Sequence, residues 1–134
     1  MEKVAVAIQR GKNPKETVKR TLQLLGGLGK VIKNGDTVLL SPNYGVPMSP
    51  ETGATTDPEV AGGVIEAARQ AGGKKIIVAE SSVVGFNAGE VMAELGVNKM
   101  FESAGAEVLN LDEDQKNVIQ KKVPRVGIYV NFCI

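Results

Sequence analysis

The chain has 134 residues and a formal net charge of +1, which is enough sequence for one domain with its own hydrophobic core. It has no basic block, only 4% aromatic residues and no apolar run near the roughly 20 residues of a membrane span, so we expect neither a nucleic-acid nor a membrane partner. Histidine is absent and Cys133 is the one cysteine, which argues against a triad hydrolase, a histidine-based metalloenzyme, an iron–sulfur cluster and a zinc site.

The first third of the chain is predicted to form a strand, a helix and a second strand. Lys3–Ile8 alternates like a strand, and because the N-terminus lacks the long apolar core of a signal peptide, we expect a cytoplasmic protein. Asn13, followed by proline and by glutamate three positions later, is typical of a helix start, and Gly26–Gly27 is typical of its end. Val38–Leu40 is a short apolar run, as expected of a strand covered on both faces.

A long polar loop, Asn43–Thr56, separates that strand from a second predicted helix. At about 14 residues it exceeds most connections, and loops of this length are usually functional or disordered. Asp57, before a proline, is the expected N-cap of the helix, with Thr56 and Glu59 as an alternative capping box. We interpret Gly62–Gly63 as close packing of this helix on the sheet. Its predicted inward stripe is Val60, Val64, Ala67, Ala68 and Ala71.

The rest of the chain continues the alternation of strands and helices. Lys74–Ala79 predicts a third strand, and Asn87 with Glu90 is a further capping pair. A second helix in this region is indicated by the spacing of Val97, Met100, Phe101 and Ala104. Further strands are predicted over Glu107–Leu111, Val118–Val123 and Gly127–Phe132, and the acidic Asp112-Glu113-Asp114 is interpreted as a surface turn.

This order of elements predicts a single α/β domain over residues 1–134. Strands that alternate with helices indicate a mostly parallel sheet with helices on both faces, a three-layer arrangement, followed by a β-rich C-terminal tail. Right-handed crossovers place the loops that follow the strands along one edge of the sheet, where ligands of open α/β sheets usually bind. The sequence therefore indicates a place for a site, although it has no dinucleotide, phosphate-loop or nucleophile-elbow motif.

Three polar segments at that edge are candidates for ligand contacts. Asn43 offers donors and an acceptor, although a turn in which it bonds its own backbone is equally compatible with the sequence. Thr55–Asp57 opens a helix, where free amides attract a phosphate or carboxylate, but plain capping is favoured. Glu80 and Ser81 follow the third strand, either as ligand or magnesium contacts or as a solvated loop. The predicted ligand-binding residues are Asn43, Thr55, Thr56, Asp57, Glu80 and Ser81, and no catalytic residue or metal ligand is assigned.

Four segments of the chain together form a recognisable pattern: Val38–Asn43, Gly53–Val60, Ala71–Ser81 and the glycine-rich Gly85–Val91. In these segments the chain resembles the family called domain of unknown function 362. The likeness runs from Val4 to Leu111, and its most specific part is the block Thr55–Glu59. The resemblance implies a fold and a redox neighbourhood more than a reaction, because members of the family are sometimes joined to ferredoxin-like iron–sulfur segments.

The chain departs from the family pattern in two ways. Ser41 stands where the family usually has a lysine before Pro-Asn, so an anion contact by that lysine is lost. Family domains also continue, with a Lys- and His-containing segment, past the position where this chain ends. The resemblance therefore implies a shortened family domain.

Two functions remain open, and the sequence does not decide whether the chain is an enzyme. The first is binding of a small molecule or anion in a pocket at the C-terminal edge of the sheet, with the cofactor unknown and no iron–sulfur cluster expected. The alternative is a non-catalytic interaction or assembly module, accessory to an iron–sulfur or redox protein. The strand-like tail Val126–Ile134 further predicts a homodimer, since an unpaired strand edge invites another chain.

Overall fold

The computed structural model describes residues 4–81, 83–113, 118–122 and 129–133. Its helices are α1 (Pro14–Leu24), α2 (Pro58–Gln70), α3 (Ala88–Glu94) and α4 (Val97–Ser103), with single 3-10 turns at Leu28–Lys30 and Pro50–Thr52. Its strands are β1 (Thr37–Leu40), β2 (Lys75–Glu80), β3 (Glu107–Asn110), β4 (Val118–Lys122) and β5 (Tyr129–Cys133). No helix in these ranges is both long and apolar enough to cross a membrane.

Three helices begin at the capping residues that the sequence predicts. The side chain of Asn13 accepts the backbone N–H of Glu16 at 3.0 Å at the start of α1. The carboxylate of Asp57 accepts a backbone N–H of the first turn of α2. The side chain of Asn87 accepts the N–H of Glu90 at 3.2 Å at the start of α3. Because a cap satisfies a backbone donor that the helix itself leaves unpaired, these residues determine where each helix starts.

The strands confirm the predicted α/β class and the parallel sheet. The sheet has the order β1-β2-β3 with every pair parallel, and Leu39 lies beside Ile77 in the register. β4 and β5 pair antiparallel as a separate two-stranded sheet, so the C-terminal tail is β-rich as expected. The predicted dimer contact through Val126–Ile134 falls partly on residues outside the described ranges and stays a prediction.

The hydrophobic core lies on one face of the three-stranded sheet. Most of its large buried members come from β2 and the three helices that follow β1: Ile65, Ala68, Ile76, Val78, Val91, Met92, Val97 and Phe101. Ile32, Tyr44 and Ala106, from the connecting segments, belong to the same cluster. On the opposite face Leu39 is 61% exposed. The core cluster thus joins α2, α3 and α4 to β2, as expected of an α/β domain.

Helix α1 packs beside α2 and not directly on a strand. A Cβ atom built on Gly63 would lie 2.9 Å from the carbonyl oxygen of Lys15, so the glycine permits close approach of the two helices. Lys15 and Lys19 also pair with Glu66, and the hydrogen bond from Lys15 holds the pKa of Glu66 below its usual value. The interpretation of the glycine pair as helix-on-sheet packing was therefore wrong, since Gly63 faces α1.

The predicted inward stripe of α2 is also displaced. The buried residues of α2 are Ala61, Gly62, Gly63, Ile65 and Ala68, so only Ala68 belongs to both sets. Val60 and Val64 are half-buried beside the end of β1, and Ala67 is half-buried near α1. A helix that contacts both a sheet and another helix has two apolar faces, and the sequence pattern did not separate them.

Residues 4–8 do not form the predicted strand in this structure. Val4, Val6 and Ile8 are 89%, 79% and 89% exposed, and Lys3 lies outside the described ranges. A strand needs a neighbour to accept and donate its backbone hydrogen bonds, and this segment has none among the described strands. The alternation of apolar residues was therefore not sufficient to predict a strand here.

Candidate functional site

The loop after β1 and the end of β2 meet at one edge of the sheet. The carboxylate of Glu80 accepts the backbone N–H of Tyr44 at 3.1 Å through one oxygen and that of Ser81 at 2.9 Å through the other. This arrangement follows from the parallel pairing of β1 with β2, which brings the carboxyl ends of both strands to the same edge. The expected convergence of these two polar segments is therefore present.

Asn43 and Thr56 tie the two ends of the long loop together. The N–H of Asn43 donates to the Thr56 hydroxyl at 2.9 Å, and the N–H of Thr56 donates to the Asn43 carbonyl at 3.0 Å. The Asn43 side chain donates to the carbonyl of Ala54 and accepts the N–H of Gly45. Its polar groups are thus used within the loop, in the turn-forming role that the sequence left open. The Thr56–Glu59 capping box is not formed.

The side chains of Thr55 and Asp57 form hydrogen bonds within the same loop and at the start of α2. Thr55 is 7% exposed, and its hydroxyl donates to the carbonyl of Met48 at 2.8 Å. One carboxylate oxygen of Asp57 accepts the N–H of Glu59 at 2.8 Å, and its carbonyl accepts the N–H of Val60. Pro58 has no N–H, and the next two amides of the helix donate to Asp57. The first turn of α2 therefore offers no free amide to an anion. The start of this helix is capped by its own carboxylate, the alternative that the sequence favoured.

A recess of about 180 Å³ lies between the end of β1 and the first half of α2. Its lining residues are Leu40, Ser41, Pro42, Thr56, Val60, Ala61 and Val64. No charged side chain belongs to this lining, and Ser41 and Thr56 supply the hydroxyl groups. Of the six predicted ligand-binding residues, only Thr56 lines the recess. Ser81 is exposed beyond the end of β2, and the other four hold the loops that frame this edge.

A second polar cluster follows β3. The amide of Asn110 donates to the side chains of Asn87 at 3.2 Å and Glu113 at 3.0 Å, and Asp112 accepts the N–H of Ala88 at 2.9 Å. The acidic residues predicted as a surface turn thus connect β3 to the start of α3, and Asp114 lies outside the described ranges. Within the described residues, no group of three or more acidic or cysteine side chains is placed to hold a metal ion.

Comparison with known proteins decides the family. The model of the domain of unknown function DUF362 matches residues 38–132, which is more than half of the chain. The chain belongs to the DUF362 family. A thylakoid-associated protein from Synechocystis sp. is 40% identical over 58 residues, a stretch that covers 43% of this chain and 18% of that relative. The chain therefore spans less than a fifth of the curated relative it matches, and no solved structure matches it.

The DUF362 domain places one residue at this edge that was not among the predicted contacts. Tyr44 is fully buried, and its ring lies 6.0 Å from that of Phe101 between centroids. Its hydroxyl is buried and has no hydrogen-bond partner within the described residues. Burial raises the pKa of Tyr44, and the negative charge of Asp57 raises it further. The available signal in the sequence was an aromatic residue inside a polar, glycine-containing loop.

Proposed function

We propose that this DUF362 domain binds a small molecule in the recess between the end of β1 and α2. The observation that carries the proposal is the recess itself, because it opens at the carboxyl end of a parallel strand, where ligands of open α/β sheets bind. The walls formed by Leu40, Val60 and Val64 suit an apolar group. Ser41, at the exposed rim, supplies a hydroxyl that makes no hydrogen bond within the described residues.

The chemistry of the lining favours a neutral group over an anion. Lysine and arginine are absent from the recess, the amides at the start of α2 are occupied, and Asp57 adds a negative charge nearby. A phosphate or carboxylate placed there meets no positive partner and is repelled by that carboxylate. With about 180 Å³ of space, below the roughly 300 Å³ of sites that hold drug-sized molecules, the recess accepts one small apolar group of a ligand.

Of the six residues predicted as contacts, Thr56 keeps that role in this proposal. Asn43 and Glu80 act on the ligand only through the loop, since their polar atoms bind Ala54, Gly45, Tyr44 and Ser81. Ser41 joins Thr56 as the hydrogen-bonding side of the recess. Of the remaining predicted residues, Thr55 and Asp57 position the first turn of α2 that forms one wall, and Ser81 lies exposed outside the recess.

A thermal-shift screen tests the proposal with neutral fragments, such as small alcohols and amides, beside phosphate and acetate. A ligand that binds only the folded state raises the unfolding temperature as its concentration increases. We expect stabilisation by neutral fragments and none by the two anions. Val64→Phe, which fills the recess, should remove the shift, whereas Val31→Phe adds the same ring at an exposed position and should retain it.

The outcomes separate the proposal from its rivals. Stabilisation by phosphate or acetate alone would contradict the neutral preference, and a neutral shift that survives Val64→Phe would place the ligand elsewhere. A second function, an interaction module, is favoured by the exposure of Val83, Val84 and Phe86 in the connection from β2 to α3. Absence of any fragment shift would leave this second function as the better account.

A further inference from the structure

The outer edge of β1 has no partner strand within the described residues. β1 pairs with β2 on one side, and the sheet order β1-β2-β3 leaves its other side at the margin. Proteins usually protect such an edge with a charged residue, a proline or a bulge. The four residues Thr37–Leu40 contain no charge and no proline. This edge therefore keeps the backbone donors and acceptors that another strand requires.

Helix α1 lies where the helix of one more strand–helix–strand unit is expected. It packs along α2, with Val18 and Lys15 against Gly63, and it leads through the chain into β1. Yet none of its residues is buried, and Leu24 is 63% exposed. In a parallel sheet, the crossover helix covers the two strands that it connects. Here α1 has a strand after it but no paired strand before it.

Residues 4–8 have the composition and the position of that strand. Val4, Val6 and Ile8 alternate with Ala5 and Ala7, and the connection from residue 9 to residue 13 has the length usual between a strand and a helix. Gln9, Arg10 and Gly11 line a recess together with Val60 of α2. Val60 also lines the recess at the end of β1.

The shared neighbour Val60 determines where this segment ends relative to the sheet. The residues that follow Ile8 line one recess with Val60, and Leu40 and Ser41 line another recess with the same residue. The carboxyl end of the segment is thus near the carboxyl end of β1. This is the arrangement that parallel pairing of the two requires.

We propose that residues 4–8 adopt a second, docked conformation as a fourth parallel strand on the free edge of β1. The sheet then has the order residues 4–8, β1, β2, β3, with α1 as a right-handed crossover in the same layer as α2. Val4, Val6 and Ile8 face α1, and the small Ala5 and Ala7 face the open side that carries Leu39. This inference does not depend on the proposed ligand recess.

Amide hydrogen exchange of the full chain, followed by NMR, tests the docked conformation. Alternate amides within residues 5–8 and the outward amides of β1 should exchange about 100-fold or more slowly relative to an unstructured peptide. Val6→Asp places a charge against α1 and should return the segment to unprotected rates. Ala5→Asp introduces the same charge on the open side and should keep the protection. Unchanged protection of the β2 amides in both variants shows that the domain is still folded.

Three results would overturn the inference. One is unprotected exchange of residues 5–8 in the unsubstituted chain. Another is equal loss of protection in Ala5→Asp and Val6→Asp, which would contradict the assignment of faces. The third is protection that appears only when the chain dimerises at high concentration, measured by light scattering, because the occupant of the edge would then be a second copy.

Discussion

Residues 75–110 and residues 4–40 contain the same kinds of elements but bury their apolar side chains very differently. We call them the compact half and the open half. The buried apolar residues of the compact half are Ile76, Val78, Ala79, Ala88, Val91, Met92, Val97, Phe101 and Ala106. In the open half, Ile32 is the one buried residue. Both halves have amphipathic helices, so the helices alone do not explain the difference.

The difference shows what a helix of this sheet needs in order to bury its apolar face. α4 packs against β3 and α2, whereas α1, within the described residues, packs mainly against α2. In an α/β domain, a helix buries its apolar face where the strands of the sheet lie against that face. In the compact half, β2 has a neighbouring strand on both sides. In the open half, β1 has a neighbouring strand on one side within the described residues.

The largest effect should come from truncation in the compact half. Phe101 is fully buried, so Phe101→Ala should lower the free energy of unfolding by about 3–5 kcal/mol. Leu22 of α1 is half-buried, and Leu22→Ala should cost less than about 2 kcal/mol. Urea unfolding of both variants measures the contrast. If Phe101→Ala does not fold, Phe101→Leu gives the measurable variant, and equal costs at positions 101 and 22 would remove the distinction between the halves.

A pair of glycine substitutions tests how closely α1 approaches α2. A methyl group at position 63 would lie 2.5 Å from a methyl of Val18 and 2.9 Å from the Lys15 carbonyl, so Gly63→Ala should destabilise by about 1–3 kcal/mol. Gly62 has no atom within 4 Å of such a methyl, and Gly62→Ala should stabilise by up to about 1 kcal/mol through helix propensity. Thermal unfolding should show opposite signs. Stabilisation by both substitutions would mean that α1 is more loosely attached than described.

The smallest effect at neutral pH is expected at Tyr44, where the loop after β1 enters the core. Its buried hydroxyl has no hydrogen-bond partner in the described part of the chain, so Tyr44→Phe removes an unsatisfied group. The free energy of unfolding should be unchanged or higher by about 1 kcal/mol. If urea unfolding instead shows that Tyr44→Phe lowers the free energy of unfolding, the hydroxyl has a hydrogen-bond partner, such as a bound water.

The same substitution should alter the response to alkaline pH. Because burial raises the pKa of Tyr44 in the folded state, the neutral phenol is favoured there, and its contribution is intact below the unfolded pKa of about 10. Above that pH the unfolded chain releases the proton more readily, so the stability of the unsubstituted protein falls. Lys19, whose pKa is raised by Glu66, contributes in the same direction, but it is present in both proteins. The difference between the two pH profiles therefore isolates Tyr44.

The sequence was a good guide to local features and a weaker guide to the faces of helices. Asn13, Asp57 and Asn87 begin helices as predicted, because each cap bonds an amide two or three positions along the chain. At the candidate site, Glu80 and the loop after β1 meet as expected. The direct partner of Glu80, the backbone of Tyr44, was not predictable, since the two residues are 36 positions apart.

By itself, then, the sequence determined the kinds and limits of most elements, the parallel character of the main sheet and the edge at which polar loops gather. These properties depend on residues within a few positions of one another and on the handedness of crossovers. The tertiary structure alone decided that Gly63 meets α1, and that Ser41 and Thr56, with apolar neighbours, line the recess. Each of these features depends on packing between segments that are far apart in the sequence, so a local sequence pattern cannot predict it.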